Sequence, residues 1–364
     1  MHDTLELTTQ SMRIRQLDAL MAVRPDAFED YYRRMSRATT TGLAIVHDLA
    51  ADRPELHSLM SQIMSLAETD RRLTFLQAIP GGPILASMRA TTLERAMFGT
   101  ETEPTARIAL LIGIFTLLLD GVIDEAPEIF ATIQPWLQRT MTLEQRPEDP
   151  PGDLHPIATA ICWAAASAIG ELAHGPGWRD PVARTEFIRA TKSAYQTELE
   201  STTCRMSDLA LDVAQCRERI VAKSTACIWA GALIPMVVHG WPAGTDPGAF
   251  ETLAKTVGAF SGWIDDIVDL DVDLRADLWS MPLLEIYDLV IDVDPAAARR
   301  ADRATVVYDG LLHPWIGPRL PGLGVMRWQA VCDAIRAMGI DEDLVVPVMA
   351  DVARASLLDG LVPA

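Results

Sequence analysis

The chain has 364 residues, of which 49% are hydrophobic and 22% charged, so a sizeable buried core is expected and intrinsic disorder is excluded. Its net charge is −19, and the only lysines are Lys192, Lys223 and Lys255. That balance argues against nucleic acid or an anionic membrane surface as a partner, while an anionic substrate stays admissible where bound cations neutralise a site.

Cys162, Cys204, Cys216, Cys227 and Cys332 form no CxxC pair, and an odd count does not suit a disulfide framework. Reduced thiols in a cytoplasmic protein are expected. The start of the chain lacks a basic segment followed by an apolar one, so no export signal is expected. The longest apolar runs, Ile108–Leu119 and Ala226–Val238, fall short of the roughly 20 residues a spanning helix needs. They predict core helices and no membrane span.

Strand signals are nearly absent and helix formers dominate. Residues 1–40 predict one or two peripheral helices. Thr41–Ala50 and Leu56–Ala78 predict amphipathic helices, the second ended by Pro80-Gly-Gly-Pro83. Ile84–Phe98 predicts a helix closed by Gly99. Pro104 then suits the first turn of a long helix that runs to the end signal at Pro127. Residues 145–156 predict a loop. Helices are expected over 157–174, 181–207, 209–239 and 248–273, then over shorter proline-punctuated stretches ending with 323–338 and 342–358. No linker of disordered composition interrupts the chain. We expect one all-α domain over 1–364: peripheral helices at 1–100, a motif-bearing core at 104–280 and C-terminal helices at 281–364.

Two acidic groups stand out. In Gly258-Ala-Phe-Ser-Gly-Trp-Ile-Asp-Asp-Ile-Val-Asp-Leu-Asp-Val-Asp273 an apolar helix runs into dense carboxylate. Asp265 and Asp269 are one turn apart on one face, Asp266 lies beside them, and Asp273 continues the stripe. In Leu117-Leu-Leu-Asp-Gly-Val-Ile-Asp-Glu125, Asp120 and Asp124 repeat the spacing. A solvated acidic helix end gives the same pattern. The apolar residues before each group argue instead for inward carboxylates that bind a cation, since like charges at this spacing weaken a helix on their own. Oxygen-only donors favour Mg²⁺, which takes its remaining ligands from water and from a phosphorylated substrate. Asp120, Asp124, Glu125, Asp265, Asp266 and Asp269 are the candidate ligands, and a diphosphate is the natural partner of such a set. Lys223 interrupts an otherwise apolar helix. It reads either as a snorkelling rim lysine or as a cation that meets charge building on a departing diphosphate. Arg275 is a second candidate for that task.

Lys223-Ser-Thr followed by Gly258–Asp269 resembles the second half of the all-α class I isoprenoid synthases. The polyprenyl-synthase-like branch, which includes bacterial terpene synthases, is closest. Leu119–Glu125 is similar to that family's first aspartate-rich motif, and the resemblance covers residues 107–280. It implies a helical bundle around a central apolar cavity, Mg²⁺ as cofactor and a prenyl diphosphate as substrate. It also implies catalysis by Asp120, Asp124, Asp265, Asp266, Asp269 and Lys223, and it leaves room for a homodimer. Phe115, Trp163, Trp229 and Trp263 are either core residues or cavity walls facing a carbocation.

The departures from the family favour a one-substrate reaction. Gly121 stands where chain-elongating synthases carry a second Asp, and Ala126-Pro-Glu-Ile-Phe-Ala follows where they carry paired arginines. Gly81-Gly-Pro-Ile-Leu-Ala-Ser-Met-Arg89 echoes their Gly-Gly-Lys-x-x-Arg stretch without its lysine. A second diphosphate therefore has no evident cationic grip. The expectation is a terpene synthase, a lyase that ionises and cyclises one prenyl diphosphate. The alternatives are a chain-elongating or head-to-head prenyltransferase and a non-catalytic helical partner subunit. A carboxylate-bridged metal oxidase fits poorly, because Glu-x-x-His pairs are lacking near both groups.

Overall fold

A computed structural model describes residues 2–52, 54–70, 73, 75–76, 81–141, 149–300, 302–358 and 361. Among them the structure is helical throughout, with one isolated antiparallel bridge between Arg205 and Leu278. The α-helices are α1 (His2–Val23), α2 (Tyr31–Asp52), α3 (Pro54–Thr69), α4 (Gly82–Phe98), α5 (Glu103–Glu125), α6 (Pro127–Thr140), α7 (Pro156–His174) and α8 (Pro181–Ser201). They continue as α9 (Val213–Ala232), α10 (Ile234–His239), α11 (Pro247–Val268), α12 (Leu270–Arg275), α13 (Met281–Val293), α14 (Arg303–Leu312), α15 (Leu320–Ala337) and α16 (Glu342–Leu358). The all-α expectation is met. Prolines sit in the first turn of α4, α5, α6, α7, α11, α13 and α15, where no backbone N–H is needed.

Several boundaries differ from expectation. The helix expected over 181–207 ends at Ser201, and the one expected over 248–273 is interrupted at Asp269. Of the expected Leu56–Ala78 helix, α3 stops at Thr69 and residues 71, 72, 74 and 77–78 lie outside the described residues. Residues 145–148 of the expected loop lie outside them too.

The chain divides into two compact units. One comprises residues 1–29, 196–229 and 246–364; the other comprises 30–195 and 230–245.

The first unit is built on α1, α11, α15 and α16. Helix α1 is no peripheral element. Leu20 is fully buried, and so is Gln16, whose amide accepts from Trp263 Nε1 at 3.1 Å and donates to Pro321 O at 3.3 Å. Arg13 Nε donates to Leu357 O at 3.0 Å. These polar residues made α1 look external, yet each is satisfied inside the core. Phe260 and Trp328 meet at 5.1 Å between ring centroids, and the Arg327 guanidinium lies 4.2 Å from the Trp263 centroid.

The second unit is built on α4, α5 and α7, with Ile45 and Leu49 of α2 against Leu110, Leu111 and Ala168. Helices α4 and α5 approach closely, since a Cβ on Gly113 would lie 2.8 Å from Pro83 Cα. The start of α5 is fixed by Glu94, a fully buried carboxylate. It accepts from Thr102 N at 2.7 Å, Thr102 Oγ1 at 2.6 Å, Thr105 Oγ1 at 2.7 Å and His239 Nε2. Three described helices, Glu103–Glu125, Pro156–His174 and Val213–His239 (α9 with α10), are long and apolar enough to cross a membrane by length and composition alone. That corrects the shorter runs read from sequence. Half or more of each apolar window is buried inside the structure.

Candidate active site

The acidic group of the first unit lies at the end of α11. The helix stops at Val268, and Asp269 caps it with φ −97° and ψ 10°. Hydrogen bonds nevertheless run from Asp269 N to Asp265 O at 3.1 Å and from Asp273 N to Asp269 O at 2.8 Å. The carboxylate stripe expected through Asp265, Asp269 and Asp273 therefore continues across the break into α12. Asp265 and Asp269 are exposed, whereas Asp266 and Asp273 are half-buried.

Asp266 turns its carboxylate inward and accepts from Met281 N at 2.7 Å, at the start of α13. Burial pushes its pKa up to about 7; the Met281 N–H opposes the rise, Asp265 adds to it, Lys223 opposes it and Asp269 adds to it. Asp273 is held well above the carboxylate range, first by burial and then by Asp266 and Asp269. Burial is the larger cause of both shifts, and the neighbouring carboxylates add a smaller repulsion that a bound cation would relieve.

Lys223 reaches this group because α9 and α11 touch almost backbone to backbone. A Cβ on Gly258 would lie 2.5 Å from Thr225 Cα, and one on Gly262 would lie 2.2 Å from Ser224 Oγ. Ser224 follows Lys223, and Gly262 is one turn before Asp266. Lys223 Nζ pairs with Glu198 Oε1 of α8 at 2.8 Å. Glu198 is the residue that sequence reasoning missed. Its partner is set by tertiary packing, and no local signal separates it from Glu200 two positions on.

Arg275, the other cationic candidate, is tied to its own turn, with Nε donating to Asp271 O at 2.9 Å and the guanidinium paired with the Asp271 carboxylate. Trp263 has no exposed surface and packs as described between Gln16 and Arg327. It is therefore a core residue, not an open wall. Trp229 is also buried, at 4% exposure.

In the second unit the acidic group closes α5. Asp120 is half-buried, and Asp124 and Glu125 are exposed. Phe115, one turn further back, is buried at 7% exposure. Gly121 is buried under Phe75: a Cβ there would lie 2.1 Å from Phe75 Cγ. Phe75 N donates to Glu125 Oε2 at 3.4 Å. A second carboxylate at position 121 would have to displace that ring.

Among the described residues no three His, Cys, Asp or Glu side chains are grouped as a ready-made metal cage. The donors still suit Mg²⁺, which is commonly held by one or two carboxylates plus water and substrate phosphate. Among the described residues the side-chain donors of this group are carboxylate oxygens, which suit that ion.

No family model matches the chain, and no curated protein matches it. Solved structures to which it is similar include three of low sequence identity. The polyprenyl synthetase of Streptomyces coelicolor A3(2) is 15% identical, with 77% of this chain and 84% of that one covered, at a TM-score of 0.42. The T. brucei farnesyl diphosphate synthase complexed with risedronate is 12% identical, with 91% and 97% covered, at 0.43. The geranylgeranyl pyrophosphate synthetase of Pyrococcus horikoshii Ot3 is 14% identical, with 91% and 98% covered, at 0.44.

Proposed function

We propose that the protein is an isoprenoid-synthase-like enzyme that ionises an allylic prenyl diphosphate. The observation that carries this reading is the carboxylate cluster at Asp265, Asp266, Asp269 and Asp273, with Lys223 near enough to act on Asp266. Asp265 and Asp269 would hold Mg²⁺, which when bound would supply charge neutralisation to a diphosphate. On the strength of the sequence resemblance, Asp120 and Asp124 would form a second Mg²⁺-binding group of their own unit. The Lys223 ammonium donates to the leaving oxygens, where its effect grows as negative charge builds. Glu198 keeps that ammonium oriented. Asp266 braces the α11 end through Met281 N.

Two fates of the resulting allylic cation follow. Cyclisation or elimination is favoured by the missing second cationic grip: Arg95 on α4 is paired with Glu101 at 3.3 Å, and the paired arginines that follow the first motif in elongating enzymes are absent. Transfer to a second prenyl unit is the second reading, and it rests on the sequence resemblance of the two aspartate-bearing stretches to prenyltransferases. Incubation with geranyl, farnesyl, geranylgeranyl and geranylfarnesyl diphosphates plus Mg²⁺, with and without isopentenyl diphosphate, separates the two. Hydrocarbon or alcohol without isopentenyl diphosphate supports cyclisation. A longer linear diphosphate formed only in its presence supports transfer. No turnover of any of the four sinks the ionisation reading. The same reading makes this a cytoplasmic enzyme, and recovery of the native protein in a membrane fraction would count against that.

A further inference from the structure

Guanidiniums from two helices of the first unit converge on a carboxylate that the site described above does not use. Arg217 and Ser224 are seven residues apart, two turns of α9, so they share a face. Ser224 is the residue that packs under Gly262 of α11, so Arg217 lies on the side of α9 turned to that helix. There its guanidinium reaches α13, where Nη1 donates to Glu285 Oε1 at 3.1 Å and Nη2 to Asp288. Arg327 of α15 donates from Nη2 to the same Glu285 oxygen at 3.0 Å, and its guanidinium is the one that lies 4.2 Å from the Trp263 ring of α11. Glu285 stands one turn past Met281, whose N–H donates to Asp266 at 2.7 Å. The contacts close into a ring. Arg217 joins α9 to α13, Glu285 joins α13 to α15, Trp263 joins α15 to α11, and Gly262 brings α11 back to α9. Arg217, Glu285 and Arg327 are all half-buried. Two positive charges meet at one oxygen, and it is the carboxylate that lets them stand together.

We infer that Glu285 is a positioning residue for Lys223: by drawing Arg217 and Arg327 onto one oxygen it fixes α9 against α11, and so sets where the Lys223 ammonium stands relative to the carboxylates at the end of α11. The glycines at the crossing decide how near the two helices come, but they make no directional contact that fixes one along the length of the other. The forked hydrogen bonds of Arg217 do. Helix α13 is then tied to α11 in its first turn, through Asp266, and to α9 in its second, through Glu285. For its effect on turnover the inference rests on the ionisation reading above, and it gives a task to a charged cluster that the reading leaves idle. Glu285 acts through other side chains and is not counted among the catalytic groups.

The test is nuclear magnetic resonance of the full-length protein after reductive methylation of its lysines with isotope-labelled methyl groups. Lys192, Lys223 and Lys255 are the only lysines, so the signal that vanishes in Lys223→Arg is that of Lys223. Glu285→Gln removes the charge and should move the Lys223 signal while those of Lys192 and Lys255 stay in place. Arg217→Gln removes the same tie from the α9 side and should do likewise, which keeps the test open where Glu285→Gln does not fold. Leu357→Ala, a cavity in the fully buried face of α16, should lower Tm at least as far as Glu285→Gln without moving the Lys223 signal, which separates positioning from a general loss of stability. With a prenyl diphosphate and Mg²⁺, Glu285→Gln should lower kcat about tenfold and leave KM within about twofold, and Glu285→Asp should recover part of the loss. A Lys223 signal that stays in place in both Glu285→Gln and Arg217→Gln, or that moves as far in Leu357→Ala, would overturn the inference and leave the ionisation reading standing. A moved signal in a protein whose wild type turns over no prenyl diphosphate would support the positioning of Lys223 and overturn the ionisation reading.

Discussion

The two acidic groups share a spacing and little else. At the end of α11 the carboxylates crowd together, two of them half-buried, with a lysine close enough to act on Asp266 and a glutamate holding that lysine. At the end of α5 two of the three carboxylates are exposed, and a phenylalanine occupies their flank. An i, i+4 pair of aspartates is thus a local pattern with no fixed chemistry. The α11 group is an electrostatic device whose members act on one another, and the α5 group is a sparser set shaped by an aromatic wall.

The largest effect that sharpens this comparison should come from Asp265→Asn and Asp269→Asn. Each should lower kcat by about 10³-fold or more while the far-ultraviolet circular dichroism stays unchanged. If Asp124→Asn costs as much as Asp269→Asn, the two groups matter equally for turnover and the asymmetry drawn above is wrong. Lys223→Gln should cost on the order of 10²-fold in kcat with KM little changed, because its charge matters most as the diphosphate leaves. A rise in KM alone would make Lys223 a simple binding residue.

Glu198→Gln should cost about tenfold, less than loss of the lysine itself, because the ammonium remains and only its orientation relaxes. A variant as inactive as Lys223→Gln would show that Glu198 does more than orient.

The smallest effect concerns stability and pH. Asp266 and Asp273 titrate above their unfolded value, so the metal-free protein draws stability from their protonated forms below about pH 4. For Asp266 that stability is lost as the pH rises through about 7. Asp266→Asn keeps an acceptor for Met281 N and removes the charge. It should therefore stabilise the metal-free protein at pH 8 by on the order of 1 kcal/mol and make no difference at pH 3.5. Equal melting curves at both pH values would mean that Asp266 is not strained by its neighbours.

Much of this was legible in the sequence, for reasons that can be named. Asp265 and Asp269 showed in the register of a helix, and Lys223 showed because a cation interrupted an apolar run. The proline-led helix starts were legible because proline needs no donor there. What could not be read depends on partners distant in the chain. The helix that carries Gln16 and Arg13 was expected at the periphery, and the partners Trp263, Pro321 and Leu357 that hold it in the core lie far along the chain. Glu198 had no mark of its own before Lys223 was placed beside it. Trp263 could be read as core or as cavity wall while only its apolar helix was visible, and the core that encloses it decides for the first. Gly121 read as a missing aspartate, and only Phe75 shows that the space is taken.

The close crossing of α9 and α11 sets a mechanical tolerance on the chemistry. Gly258 and Gly262 carry no charge, yet they set how closely α9 and α11 approach and so how far an ammonium stands from a carboxylate. For two unit charges about 4 Å apart at an effective dielectric of about 20, a slip of about 1.5 Å removes roughly 1 kcal/mol, close to a fivefold change in rate. A single added methyl at Gly262, which would meet Ser224 Oγ at 2.2 Å, is enough to force a slip of that kind. Substitutions that leave every titratable group in place can therefore detune the site as a misaligned lens blurs an image.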